Sequence, residues 1–143
     1  MSVEITSDMS RVNWASLKRD LIDDDFHNDR TTAQLRRSFE NSQVVVFAFD
    51  GNRCIGTARA LSDGVCNAYV VDVWTHSDYR RAGIGTEMMA ILVDRLPGQH
   101  IYLFTDDQVD FYKRIGFRER PVGLERISGE WLMNDSRGEA DEG

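Results

Sequence analysis

One stretch, Val70 to Thr86, reading VVDVWTHSDYRRAGIGT, limits what this chain can fold into more than any other. Val70, Val71, Val73 and Trp74 are β-branched or aromatic residues in a short apolar run, the pattern of a buried strand. The strand breaks at His76-Ser77-Asp78, passes Arg80 and Arg81, and reaches Gly83-Ile84-Gly85. A helix follows at once, because Met89, Leu92, Val93 and Leu96 recur at the i, i+3, i+4, i+7 spacing of one helical face. A strand that feeds a glycine turn at a helix N-terminus makes a phosphate cradle. The first amides of the helix lack intrahelical partners, the helix dipole favours an anion, and glycine lets that anion approach the main chain. A nucleoside-triphosphate loop requires Gly-Lys-Ser/Thr, whereas Thr86 follows Gly85 directly; a dinucleotide fingerprint requires a small residue where Met88 stands.

The rest of the chain reads as an α/β protein around this stretch. Val3–Thr6 is a short strand, and Asn13 caps a helix carrying Trp14, Leu17 and Leu21 that ends in Asp23-Asp24-Asp25. Thr31-x-x-Gln34 is a capping box for a second helix with Leu35 and Phe39 on its apolar face. Runs 43–49 and 53–61, parted by Asp50-Gly51-Asn52, predict a hairpin, because Asp-Gly and Gly-Asn tolerate the positive φ of a tight turn. After Ser62-Asp63-Gly64 comes the central strand, 66–75, and beyond the glycine-turn helix a strand over 100–105. Asp106 or Asp107 is expected to cap a short helix stopped by Gly116, and runs 117–120 and 124–132 are expected to complete the sheet. The predicted order is β-αα-βββ-α-β-α-ββ.

At 143 residues the chain is read as one domain over 1–133 with an acidic flexible tail over 134–143. A formal charge of −7 disfavours nucleic acid or an anionic membrane as partner, since both require a basic surface, and it suits a cationic substrate. Cys54 and Cys66 have no C-x-x-C spacing and sit in strand contexts, as small core residues do. His27, His76 and His100 are isolated, so no metal site is expected. The first residues do not read as a signal peptide, and a reducing cytoplasm is the expected address.

Arg80-Arg81-Ala82-Gly83-Ile84-Gly85 resembles the Arg/Gln-x-x-Gly-x-Gly/Ala signature of the GCN5-related N-acetyltransferase (GNAT) family. Phe111-Tyr112-Lys113-Arg114-Ile115-Gly116-Phe117 resembles that family's F-Y-x-x-x-G-F segment at the matching separation. Gly56-Thr57-Ala58-Arg59-Ala60 and Ser62-Asp63-Gly64 carry the resemblance back to the paired N-terminal helices. It implies the GNAT fold, a mixed and mostly antiparallel sheet of about six or seven strands flanked by about four helices. It also implies acetyl-CoA as cosubstrate, with Val73, Trp74 and Thr75 pairing their backbone with pantetheine. Arg80, Arg81, Ala82, Gly83, Ile84, Gly85 and Thr86 would wrap the pyrophosphate.

Acetyl transfer from a thioester to an amine requires a neutral amine, stabilisation of an oxyanion and a proton for the leaving thiolate. The resemblance implies direct transfer with no acyl-enzyme, and positioning supplies much of the rate. Tyr112 is the candidate acid, a phenol neutral at pH 7; as a plain residue it also fits aromatic packing. Asp72 is the candidate base, because a carboxylate amid valines is costly to bury and is expected to have a raised pKa. Attraction of a cationic amine and a structural role stay open for it, and alternation puts it on the face of Trp74. Asp23, Asp24 and Asp25 with Phe26 fit either recognition of an amine or a solvated helix end.

The segments around Ser62, Leu103 to Asp107 and Pro121 are similar to small bacterial GNAT enzymes and, more loosely, to plant-type arylalkylamine acetyltransferases. That implies a small-molecule primary amine as acceptor. A protein lysine or N-terminus and a non-catalytic acyl-CoA-binding module stay open as alternatives, as does assembly into a homodimer.

Overall fold

The caps read from the sequence set the two N-terminal helices. Helix α1 (Trp14–Asp23) begins where the Asn13 side chain accepts the Ser16 amide at 3.1 Å. Helix α2 (Thr32–Glu40) begins on a complete capping box: Gln34 N–H donates to Thr31 Oγ1 at 3.0 Å and Thr31 N–H to Gln34 Oε1 at 2.9 Å. The computed structural model describes residues 2–133, so the expected tail over 134–143 lies outside the described residues. Two compact units result, one running to Leu103 and one starting at Phe104.

In the first unit, strands β1 (Val3–Thr6), β2 (Val44–Asp50), β3 (Arg53–Ser62) and β4 (Asn67–Thr75) form an antiparallel meander. Helix α3 (Ile84–Asp94) then leads to β5 (His100–Tyr102), which pairs with β4 in parallel. The sheet order is the chain order, β1 to β5.

Strand alternation sorts the two faces. Phe47 and Phe49 join Trp14, Leu17, Leu21, Leu35, Phe39 and Trp74 in one buried cluster under α1 and α2. Full burial of each such side chain contributes about 1.5–3 kcal/mol. The intervening residues Val46 and Ala48 belong to the opposite face, where α3 buries Met88, Met89 and Leu92. Gly56 makes room there: a Cβ on it would lie 3.0 Å from Met88 Cε and 3.1 Å from Ala48 Cβ, so both neighbours would have to shift.

The second unit holds helix α4 (Val109–Arg114). Its N-cap is Gln108 with no side-chain bond, so neither Asp106 nor Asp107 fills the expected role. Gly116, at φ +103°, ends the helix as expected. The described residues 117–133 contain no strand, and among the described residues the sheet has five strands, so the expected sixth and seventh are not found there. Pro121 offers no N–H, Gly123 is packed against the Phe104 ring, and Arg118, Glu119, Arg120, Glu125 and Arg126 break the apolar alternation a strand needs. One cysteine also departs from expectation: Cys54 is buried, and burial pushes its thiol up to about 12, whereas Cys66 is exposed and donates to Asp63.

Candidate functional site

Strand β4 is bonded differently along its two edges. Its pairing with β3 runs to Gly56↔Thr75 and is prolonged by His76 N–H donating to Ile55 O at 2.8 Å. Its pairing with β5 covers only Asn67 to Tyr69. The ladder on that edge ends before Val73, Trp74 and Thr75, so among the described residues no strand takes their outer backbone groups. An unpaired strand edge is a row of donors and acceptors ready for an extended ligand.

That edge runs into the glycine turn. Ser77–Tyr79 form a 3-10 turn after His76, Arg80 Nε donates to Thr75 O at 3.0 Å, and α3 starts at Ile84 with Gly83 as N-cap. Gly83 is left-handed at φ +79°, and no side chain caps the helix. A Cβ on Gly83 would meet nothing within 4 Å, which leaves the approach to the first amides open. Arg81 also adopts a positive φ, +66°, a conformation costly for a residue with a side chain. Arg81, Ala82 and Thr86 are exposed and Gly85 half-buried, while Ile84 is buried and anchors the turn to the core. Apart from Thr75 O, which Arg80 holds, the strand edge is free of a neighbouring strand among the described residues and leads to uncapped amides, which fits the extended arm and pyrophosphate of coenzyme A.

Asp72 lies in a β-bulge of the same strand. Thr57 opposes Trp74 and Arg59 opposes Val71, so Asp72 and Val73 together face Ala58. Asp72 stands at φ +57°, its carbonyl accepting from Thr57 Oγ1 at 2.8 Å. Its carboxylate is gripped by two guanidinium groups. Arg30 donates to Oδ2 at 2.9 Å and to Oδ1 at 3.0 Å, and Arg59 Nε donates to Oδ2 at 2.6 Å. The expected raised pKa is not found. Burial alone pushes the carboxyl up, but attraction and hydrogen bonds from Arg30 and then Arg59 outweigh it and hold the pKa below the usual aspartate value. Asp72 does share the face of Trp74, since Arg59 stacks over Phe39 of the α1/α2 cluster.

Asp24, one of three aspartates at the end of α1, is buried rather than solvated. Its Oδ2 accepts Trp74 Nε1–H at 2.9 Å and the Ser77 amide at 3.0 Å, with Arg80 at 3.7 Å. His76, where the strand breaks as expected, is buried; its Nδ1 accepts the Asp78 amide at 3.0 Å and Arg53 lies 2.9 Å from Nε2. In the second unit, the Tyr112 ring packs edge-on to Phe111 and Phe117 with centroids 4.9 and 5.7 Å apart. Burial pushes the Tyr112 phenol up to about 12, so it keeps its proton throughout neutral pH.

The roles of Arg30, Arg59 and Asp24 do not show in the sequence pattern. One signal bears on Arg59 alone: a lone aspartate inside a buried strand demands a cation, and Arg59 is one of two arginines on the neighbouring strand. Among the described residues no cluster of His, Cys, Asp and Glu is arranged to hold a metal ion. None of their helices is long and apolar enough to cross a membrane.

Residues 9–117 match the acetyltransferase (GNAT) family, and the chain belongs to it. It is similar to histone acetyltransferase TAP1 of Glycine max, 32% identical over 120 residues, covering 73% of this chain and 51% of the relative. It is also similar to serotonin N-acetyltransferase 2, chloroplastic, of Oryza sativa subsp. japonica, 35% identical over 103 residues and covering 66% and 52%. The chain thus spans about half the length of the curated relatives it matches. Among solved structures, a putative GNAT acetyltransferase from Xanthomonas campestris pv. campestris superposes with TM-score 0.77 at 26% identity, covering 90% of this chain and 94% of that one.

Proposed function

We propose that this chain transfers the acetyl group of acetyl-CoA directly to the primary amine of a small molecule. The observation that carries the reading is the open edge Val73–Thr75 leading into the uncapped Gly83 turn, in a chain of the GNAT family. Backbone groups of Val73, Trp74 and Thr75 hold the pantetheine arm, and the turn Arg80 to Thr86 takes the pyrophosphate. Bound there, acetyl-CoA supplies an acyl group activated as a thioester. Tyr112 Oη provides the proton that the departing sulfur requires, and the proton that the amine nitrogen sheds as the amide forms returns through solvent to the phenolate. The reading needs no metal, and a cytoplasmic address belongs to it as an expectation for fractionation to test.

Release of free thiol from acetyl-CoA is the direct test, run against aliphatic amines, arylalkylamines and a lysine peptide. Turnover of small amines supports the proposal. The similarity to a histone acetyltransferase gives the peptide arm its place, and turnover of the peptide alone would move the acceptor to protein lysine. No turnover with any arm would leave an acyl-CoA-binding module.

Two variants test the parts. Gly83→Val should abolish most acetyl-CoA affinity by calorimetry. Gly64→Val is its matched control, because Gly64 also has a positive φ, +76°, and open space around it, so backbone strain is equal and only the ligand contact differs. Equal binding by the two variants would remove the turn from the site. Tyr112→Phe should keep the fold and cofactor affinity and lower kcat by about 10²–10⁴, the usual range for general acid catalysis. An unchanged kcat with chemistry rate-limiting would return Tyr112 to packing.

A further inference from the structure

The segment joining α1 to α2 is tied to β4 at both of its ends. At one end Asp24 takes the Trp74 indole N–H and the Ser77 amide. At the other, Arg30 forks onto Asp72 through two hydrogen bonds, and its side chain is 6% exposed. These ties bracket Val73, Trp74 and Thr75. Between them, Asp25, Asn28 and Asp29 adopt φ of +56°, +58° and +59°, a left-handed backbone that Asp and Asn tolerate better than other residues with side chains and that turns the segment sharply. Arg59 makes the grip three-way. Its Nη1 donates to Ser42 Oγ at 3.2 Å and to Ser38 O at 3.4 Å near the end of α2, while its Nε holds Asp72.

We propose that Asp72 is a positioning residue: clamped between Arg30 and Arg59, it locks the 24–30 segment as a strap against β4 and so fixes Val73 to Thr75, the strand that presents the thioester to the acceptor amine. The catalytic half of this inference rests on the acetyltransferase reading; the strap itself does not. A carboxylate with three charge-assisted bonds is committed to holding its partners, and arginine suits the task because its planar fork fits a carboxylate bidentately. Misplacement of about 1 Å by a residue that never touches the substrate lowers rates about 10²-fold, so the clamp has leverage on turnover.

The test compares Asp72→Asn, Arg30→Gln and Arg59→Gln in the full chain. Asn tolerates the left-handed backbone, so the first substitution removes charge without demanding a new fold at the bulge. Hydrogen exchange comes first because it needs no turnover: amides of residues 25–31 should exchange at least about tenfold faster in Asp72→Asn and Arg30→Gln, while those of β2 stay protected. Unchanged exchange at 25–31 overturns the strap whether or not the parent is active. With the best amine of the panel, all three variants should lose about 10–100-fold in kcat/KM for the amine. Affinity for acetyl-CoA should hold, and the shape of the pH profile should be kept. The double variant Arg30→Gln/Asp72→Asn should be no worse than the poorer single, as expected of residues acting as a unit. Loss of a pH limb in Asp72→Asn alone would overturn positioning in favour of proton abstraction. Normal kinetics in the folded fraction of all three would leave only a structural ion cluster and overturn it as well. If Asp72→Asn does not fold, the two arginine variants decide. A parent inactive with every amine would defeat the acetyltransferase reading and leave the exchange result standing.

Discussion

Asp24 and Asp72 fasten the same segment to the same strand, and they do it by different physics. Their side chains are almost equally shielded from solvent, 7% and 8% exposed, although Asp72 lies much deeper among protein atoms. Asp72 faces two cations, whereas Asp24 is satisfied chiefly by neutral donors, the Trp74 indole and the Ser77 amide. A buried carboxylate between two guanidiniums has strong attraction set against heavy desolvation of three ions, and removal of one partner leaves charge uncompensated. A carboxylate among neutral donors has less to gain, but its loss strands dipoles rather than ions. The charged end therefore resists loss of the carboxylate less well than the neutral end.

The largest effect follows at Asp72. Asp72→Ala strands two guanidiniums in a site built for an anion and should destabilise the fold by about 3–5 kcal/mol, read from the denaturant midpoint. Asp24→Ala leaves the Trp74 N–H and the Ser77 amide short of an acceptor and should cost less, about 1–3 kcal/mol. If Asp24→Ala proves the more damaging, charge is not what distinguishes the two ends.

Local chemistry explains which features the sequence disclosed. The Asn13 cap, the Thr31 capping box and the glycine turn are written within a few consecutive residues, and each stands where the pattern put it. The five strands up to Tyr102 followed from apolar periodicity in the same way. Phe117 to Met133 did not, because a few apolar residues between charges, proline and glycine satisfy a strand pattern only loosely. At the candidate site, the mid-strand position of Asp72 marked it as unusual, but its charge state depended on Arg30, 42 positions away, and on Arg59. Asp24 was hidden for the opposite reason: in a run of three aspartates nothing local tells which one turns inward to Trp74, 50 positions on. Long-range partners set a side chain's role, and periodicity does not report them.

The smallest expected effect is in acid. Both carboxyls are held below the usual aspartate pKa. At Asp72 burial works against this and the two arginines overcome it; at Asp24 burial is overcome by hydrogen bonds from Ser77 and Trp74. A group whose pKa falls on folding stabilises the native state fully above its unfolded value, about 3.9, and that contribution is lost as pH drops through the lower folded value. Parent stability should therefore decline below about pH 4, as the unfolded chain binds protons that the native carboxylates refuse. Asp72→Asn is less stable overall but should decline less steeply over that window, since one such group is gone. Asp24→Asn should flatten the curve by a smaller amount, because neutral donors favour the ionised carboxyl less than two cations do. Urea midpoints taken from pH 6 down to about pH 2.5 measure the slopes. Equal slopes in parent and both variants would mean that neither carboxylate changes its proton affinity on folding, and the electrostatic contrast between the two ends would be lost.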